Sequence, residues 1–294
     1  MAAFRQRRGR GPELIPVLEI REKAHEWGLR EDVVEKDYVL GWLLWEISSC
    51  EAVGGGWIFK GGTCLRKCYL GGYRFSQDLD FSVRPGGIRD LDDIDAAFRG
   101  IAVRVNAETG IELPVDRIRF EEYRNPQGMA MEGRIAYRGP RRPSGDLPGL
   151  EINVTLNELL VEGSEARPIL HPYSDAPHPA AIISCYSLRE VLAEKLRALV
   201  DRAAPRDLYD VVNIARLEEL GDLRALAPMV AAKCRHKGIP FPSLSEFEQS
   251  RRRPELEAEW RNMLGHQVRD LSAIDDFLGQ LPDIFRRLGP MPSD

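Results

Sequence analysis

The chain has 294 residues, 43% of them hydrophobic, which is enough for one large domain or two ordinary ones with packed cores. A net charge of -5 excludes wholesale coating of nucleic acid, although 41 Lys and Arg leave room for a local basic groove. No apolar run reaches membrane-spanning length. The five cysteines (Cys50, Cys64, Cys68, Cys185 and Cys234) contain no CxxC and read as free thiols in a reducing cytosol rather than a disulfide or zinc framework.

The opening MAAFRQRRGRG carries four arginines but no apolar stretch behind them. It reads as a solvated tail, not a secretory signal, with contact to RNA phosphates as the alternative. Residues 13–49 read as helices, the first ending at Gly28 and the second holding the buried run Tyr38–Ile47. Trp57-Ile58-Phe59 is a short strand. Thr63 is expected to cap a helix that runs to Leu70 and closes at Gly71-Gly72. Leu79–Val83 is a second strand, and residues 88–107 are a helix ending before Gly110. The strands RIRFEEY and GRIAYR flank a turn at Asn125-Pro126-Gln127-Gly128, and LEINVTL follows. The stretch from Glu162 to Pro179 reads as a hinge loop. After a last strand, AAIISCY, the chain is helical from Ser187 almost to its end. The expected architecture is α/β (α+β) and bilobed: a mixed sheet flanked by helices over residues 1–180, and a mainly helical lobe over 181–294.

The polar residues concentrate in FKGGTCLRKCYLGGYRFSQDLDF, Phe59–Phe81. Asp78 and Asp80 alternate with Leu79 and Phe81, so on a strand both carboxylates share one face and the apolar residues share the other. Two adjacent carboxylates repel unless a cation neutralises them, and a hard divalent ion such as magnesium (or manganese) prefers such oxygens. Upstream, Lys60-Gly61-Gly62-Thr63 joins a strand to a helix, where amides can approach a phosphate closely. Thr63 or Ser76 can add a hydroxyl, and Lys60 or Arg74 a positive charge. A phosphate cradle followed by a metal-binding carboxylate pair is equipment for moving a nucleotidyl group. A solvated surface pair is the bland alternative for the two aspartates.

KGGTCLRK followed by YRFSQDLDF resembles the AbiEii-type toxins of abortive-infection and type IV toxin–antitoxin systems, within the DNA-polymerase-β-like nucleotidyltransferases. VEKDYVLGWLL, SLREVLAEKLRALVDRAAPRDLYDVV and PELEAEWRNML are similar to further blocks of that family. The resemblance implies an N-terminal nucleotidyltransferase lobe and a third acidic residue on a later strand. Glu151 of LEINVT fits that role, with Asp146 nearby. It also implies that Asp207 and Asp210 belong to the site, with Arg206 as a phosphate or structural partner. Independently, Lys195 falls inside the apolar stripe of Leu188, Val191, Leu192, Leu196 and Leu199. A lysine there snorkels, pairs with Asp207 or Asp210, or faces the nucleotide phosphates.

The expected reaction transfers NMP from an NTP to an acceptor hydroxyl. Asp78, Asp80 and Glu151 would hold magnesium, with Glu151 taking the proton. Gly61, Gly62, Thr63, Ser76, Arg74 and Asp207 would serve nucleotide binding, and Lys60 and Lys195 would offset charge on pyrophosphate. The resemblance points to the tRNA 3′ end as acceptor, to a cognate antitoxin partner and to a cytoplasmic setting. Arg138, Arg141-Arg142 and Arg251-Arg252-Arg253 are basic candidates for an RNA surface. A protein or small-molecule acceptor, or a non-catalytic nucleotide-binding regulator, are the competing readings.

Overall fold

The computed structural model describes residues 14–125, 128–142 and 144–291. The N-terminal arginines therefore lie outside the described residues. Two helices open the chain: α1 (Val17–Trp27), closed by Gly28 in the left-handed conformation, and α2 (Glu31–Ser49). The stretch Tyr38–Leu44 of α2 is buried throughout, as its composition requires. A short α3 (Glu51–Gly54) leads into β1 (Trp57–Lys60), α4 (Gly61–Cys64) and a π-helical turn, Leu65–Tyr69. The Leu70 amide donates to the Leu65 carbonyl at 2.7 Å, the wide spacing of a π-turn. Then come β2 (Asp78–Val83) and α5 (Leu91–Thr109), the latter capped by the Asp90 carboxylate accepting from the amides of Asp92 and Asp93.

The remaining strands are β3 (Ile118–Asn125), β4 (Gly128–Ala136), β5 (Gly149–Thr155), β6 (Ser164–Pro168) and β7 (Ile182–Tyr186). They join one mixed seven-stranded sheet in the order β3-β4-β5-β2-β1-β7-β6. The chain then turns helical: α6 (Leu188–Arg202), N-capped by Ser187, α7 (Pro205–Ala215), begun by Pro205, and α8 (Ala227–Lys237). Four more helices close it: α9 (Leu244–Glu248), α10 (Arg253–Leu264), α11 (Ile274–Leu278) and α12 (Leu281–Leu288).

Strand alternation sorts the sheet into two cores. Trp57, Phe59, Leu79, Phe81, Ile152 and Val154 enter one core with α2 and α5. Ile58 and Tyr186 point the other way, into a second core built mainly from α6 to α12. Ile58 pairs with Ser82 and Lys60 with Asp80. Asp78, Asp80 and Ser82 therefore lie on the sheet face turned toward the helical lobe.

Two local expectations are corrected. Thr63 caps no helix: its hydroxyl donates instead to the Asp78 carbonyl at 2.6 Å, tying α4 to the start of β2. The stretch from Glu162 to Pro179 is not loop throughout. It contains β6, paired antiparallel with β7, and Ile169 and Tyr173 enter the first core. The Tyr173 hydroxyl donates to the Val34 carbonyl at 3.0 Å and the Asp37 carboxylate at 2.9 Å. Asp175 accepts from the Tyr38 hydroxyl at 2.8 Å and the Trp42 indole at 3.0 Å.

Candidate nucleotidyltransferase site

Sheet register assembles the acidic cluster. In the parallel pair of β2 with β5, Asp78 lies opposite Glu151 and Asp80 opposite Asn153. Residues so paired project to the same face, so Asp78, Asp80 and Glu151 share it. Asn153 donates to Asp80 at 3.3 Å. Asp78 and Asp80 are half-buried and Glu151 is exposed. Burial raises the Asp78 carboxyl above its ordinary range; Lys36 pulls it back and Glu151 pushes it up again. Burial likewise raises Asp80, with Lys60 opposing and Asp78 reinforcing the shift. These are acids whose negative charge the protein leaves incompletely offset. Their donor set is all carboxylate oxygen, which fits a hard divalent cation.

The glycine pair admits these acids. Gly61 has φ +78°, and a Cβ there would stand 2.2 Å from Asp80 Oδ2. A Cβ on Gly62 would stand 2.6 Å from Arg74 Nη2 and 3.0 Å from Ser76 Oγ. Any side chain at either position would push the α4 turn off the carboxylate and off Arg74 and Ser76. The two glycines thus bring loop backbone, acid, hydroxyl and guanidinium into close approach.

The predicted cations are already engaged. Lys60 is buried and donates to Glu194 at 3.3 Å, with Glu158 at 3.7 Å. Arg74 donates through Nε and Nη2 to both oxygens of Asp210, each at 2.7 Å, and through Nη1 to Gln267 at 2.9 Å. Lys195 lies 2.8 Å from Asp207 and 2.9 Å from Asp210. Arg202 completes the group, its Nε 2.6 Å from Asp207. The structure thus gives Lys195 the ion-pair arrangement, and Asp207 and Asp210 are fully buried beneath it. Burial alone would raise both acids; Lys195 and Arg202 instead hold Asp207, and Arg74 and Lys195 hold Asp210, below the carboxylate range. Lys195 still bears on the acidic cluster, because its charge helps restrain the rise at Asp80.

Two cations join the cluster that side-chain pattern alone did not single out for it. Lys36, on α2, is depressed by burial and held up by the charges of Asp78 and Glu151, so its charge is felt at both acids. The signal was a lysine embedded in the apolar stretch VEKDYVLGWLL. Its neighbour Asp37 is buried against Arg66 at 3.0 Å and Lys67 at 2.8 Å, which locks α2 onto the π-turn and so positions Lys36. Arg206, on α7, approaches Asp78 Oδ2 at 3.9 Å, and its buried Nε has no hydrogen-bond partner.

The basic candidates for an RNA surface are dispersed. Arg138 pairs with Glu112 at 2.8 Å and Arg141 with Glu31 at 3.3 Å. Arg253 pairs with Glu257 at 3.1 Å, while Arg142, Arg251 and Arg252 are exposed. Among the described residues, no helix is long and apolar enough to cross a membrane.

A family model described as nucleotidyl transferase AbiEii toxin, type IV TA system, matches residues 42–280. Among solved structures the chain is similar to MenT4, a nucleotidyltransferase toxin from Mycobacterium tuberculosis. That likeness has a TM-score of 0.63 and 20% identity, covering 93% of this chain and 89% of the other. It is also similar to JHP933 from Helicobacter pylori, at TM-score 0.53 and 16% identity, covering 88% and 94%. No curated protein matches the sequence.

Proposed function

Because the chain belongs to the AbiEii nucleotidyltransferase toxins of type IV toxin–antitoxin systems, we propose that it transfers NMP from an NTP to the 3′ end of tRNA in the cytoplasm, blocking translation until a cognate antitoxin intervenes. The observation that carries the reading is the register of β2 and β5. It sets Asp78, Asp80 and Glu151 on one face, with the first two acids left incompletely neutralised. Magnesium bound by these carboxylates would supply the positive charge that a triphosphate and its leaving pyrophosphate need.

The chain's own groups do the rest. Gly61 and Gly62 allow the backbone close to the phosphates, and Ser76 offers a hydroxyl beside them. Arg206, close to Asp78, and Lys36, whose charge is felt at Asp78 and Glu151, offer positive charge to phosphate oxygens. Lys60 and Lys195 act from behind, each held by carboxylates of the helical lobe and each lowering the cost of charge on Asp80. Arg74, Asp207 and Asp210 fix that support in place. The acceptor hydroxyl loses its proton to Glu151 as its oxygen bonds to the α-phosphorus. The bond from the α-phosphorus to the bridging oxygen breaks, and pyrophosphate leaves. Thr63 holds the glycine turn to β2 throughout.

The test is incubation with each labelled NTP, magnesium and total tRNA, beside parallel reactions with protein lysate. Label on the tRNA 3′ end that disappears with Asp80→Ala supports the proposal. Label on protein moves the acceptor. No label on any acceptor, together with growth arrest undiminished by Asp80→Ala, overturns the enzymatic reading.

A further inference from the structure

Cys64, Cys68 and Cys185 form a group that the nucleotidyl chemistry does not use. Cys64 ends α4, Cys68 lies one helical turn on within the π-turn, and Cys185 sits on β7 opposite Phe59 of β1. All three are buried, and their sulfur atoms lie within 4.8 Å of one another. Among the described residues this is the sole group of three metal-ligating side chains gathered so closely; Asp78, Asp80 and Glu151 stand wider apart. The three sulfurs converge tip to tip from two separate parts of the chain. The π-turn helps bring this about, because its wider winding sets where Cys68 falls relative to Cys64.

We propose that Cys64, Cys68 and Cys185 form a binding site for one soft, thiophilic cation of the zinc(II), cadmium(II) or copper(I) class. Zinc–thiolate bonds are about 2.3 Å, so three sulfurs around one such ion stand about 4 Å apart. The observed spacing closes to that with movements of under about 1 Å. The ligand set is sulfur alone, which selects soft cations over magnesium. Positive charge is at hand: the Arg167 guanidinium lies 4.2 Å from the centre of the Tyr69 ring, and the Tyr69 hydroxyl is 3.7 Å from Cys185 Sγ. Loading releases the thiol protons of the group to water and leaves sulfur oxidation states unchanged. The bound cation would pin the α4 turn, one residue beyond Thr63, to β7.

The experiment titrates the reduced full chain with cadmium(II) and reads the thiolate-to-metal absorption band, bound metal by mass spectrometry, and the melting temperature. The expected result is one equivalent bound, a saturating band and a melting temperature raised by several degrees. Cys185→Ser and Cys68→Ser should each weaken binding by at least about a hundredfold. Cys50→Ser and Cys234→Ser, outside the group, should leave it intact. Circular dichroism of each cadmium-free variant separates lost binding from lost folding, and Cys185→Ala gives a second variant if the serine does not fold. Absence of the band in the wild-type chain overturns the site, as does binding that survives in a folded Cys185 variant or is lost with Cys50. None of these readouts depends on NTP turnover, so failure of this site and failure of the nucleotidyl reading are separately visible.

Discussion

Two groups of acids face each other across the junction of sheet and helical lobe, and the protein treats them in opposite ways. Asp207 and Asp210 are fully buried, yet Lys195, Arg202 and Arg74 saturate them with short ion pairs, and both carboxyls fall below their ordinary range. Asp78 and Asp80 are more accessible, yet their carboxyls rise, because Lys36, Lys60 and Lys195 offset burial only in part. A compensated group is finished by folding. An uncompensated one retains a demand for positive charge, and on a central strand beside a glycine turn that demand is what a metal–triphosphate pair would satisfy in the proposed function.

The comparison breaks most decisively at Asp80. Asp80→Asn should lower nucleotidyl transfer by about a thousandfold or more, the scale of losing a group that stabilises transition-state charge. The same change should raise stability, by about 0.5–2 kcal/mol, as removal of strain from a working site commonly does. Transfer assays and denaturant melts on one preparation check both signs. Asp210→Asn should do the reverse to stability: it strands the buried Arg74 and Lys195 and should cost about 3–5 kcal/mol. Restoring neutrality with Arg74→Met in the same chain should recover much of that loss.

The pH dependence of stability sharpens the contrast further. The lowered acids, Asp207 and Asp210, give stability that is fully present above their unfolded value near about 4 and is lost as pH falls through their folded values. The raised acids act oppositely. Their penalty is absent at low pH, sets in as pH rises above about 4, and is complete above their folded values. Melting curves across pH should therefore lose their decline on the alkaline side of that region in Asp78→Asn/Asp80→Asn, while keeping the acid collapse. The smallest effect is expected at Lys36. Lys36→Met removes the charge that restrains Asp78, so the acid limb of the transfer rate should move to higher pH with the alkaline limb unmoved.

Much of the site was legible because strand alternation is a local rule. Asp78 and Asp80 on one face, with Leu79 and Phe81 in the core opposite, follows from a period of two. Glu151 was reached through the family resemblance, and the register of β5 then brought it opposite Asp78. The apolar stripe of α6 showed Lys195 to be out of place, and its pairing with Asp207 and Asp210 was among the alternatives the pattern left open. What failed was local in appearance and tertiary in cause. Thr63 has the chemistry of a cap, but a strand carbonyl outcompetes its own helix. Residues 164–168 look like loop because an edge strand needs no apolar face on both sides.

The sequence by itself determined the alternating acid strand, the glycine turn before it, the order of sheet lobe and helical lobe, and the family. Those depend on neighbours a few residues apart. Tertiary structure alone decided which groups meet: Arg206 near Asp78, Arg74 against Asp210, and Cys185 converging on Cys64 and Cys68. Ion pairs and ligand clusters depend on distances in space, and only the packing of α2, α6, α7 and β7 around β1 and β2 sets those distances.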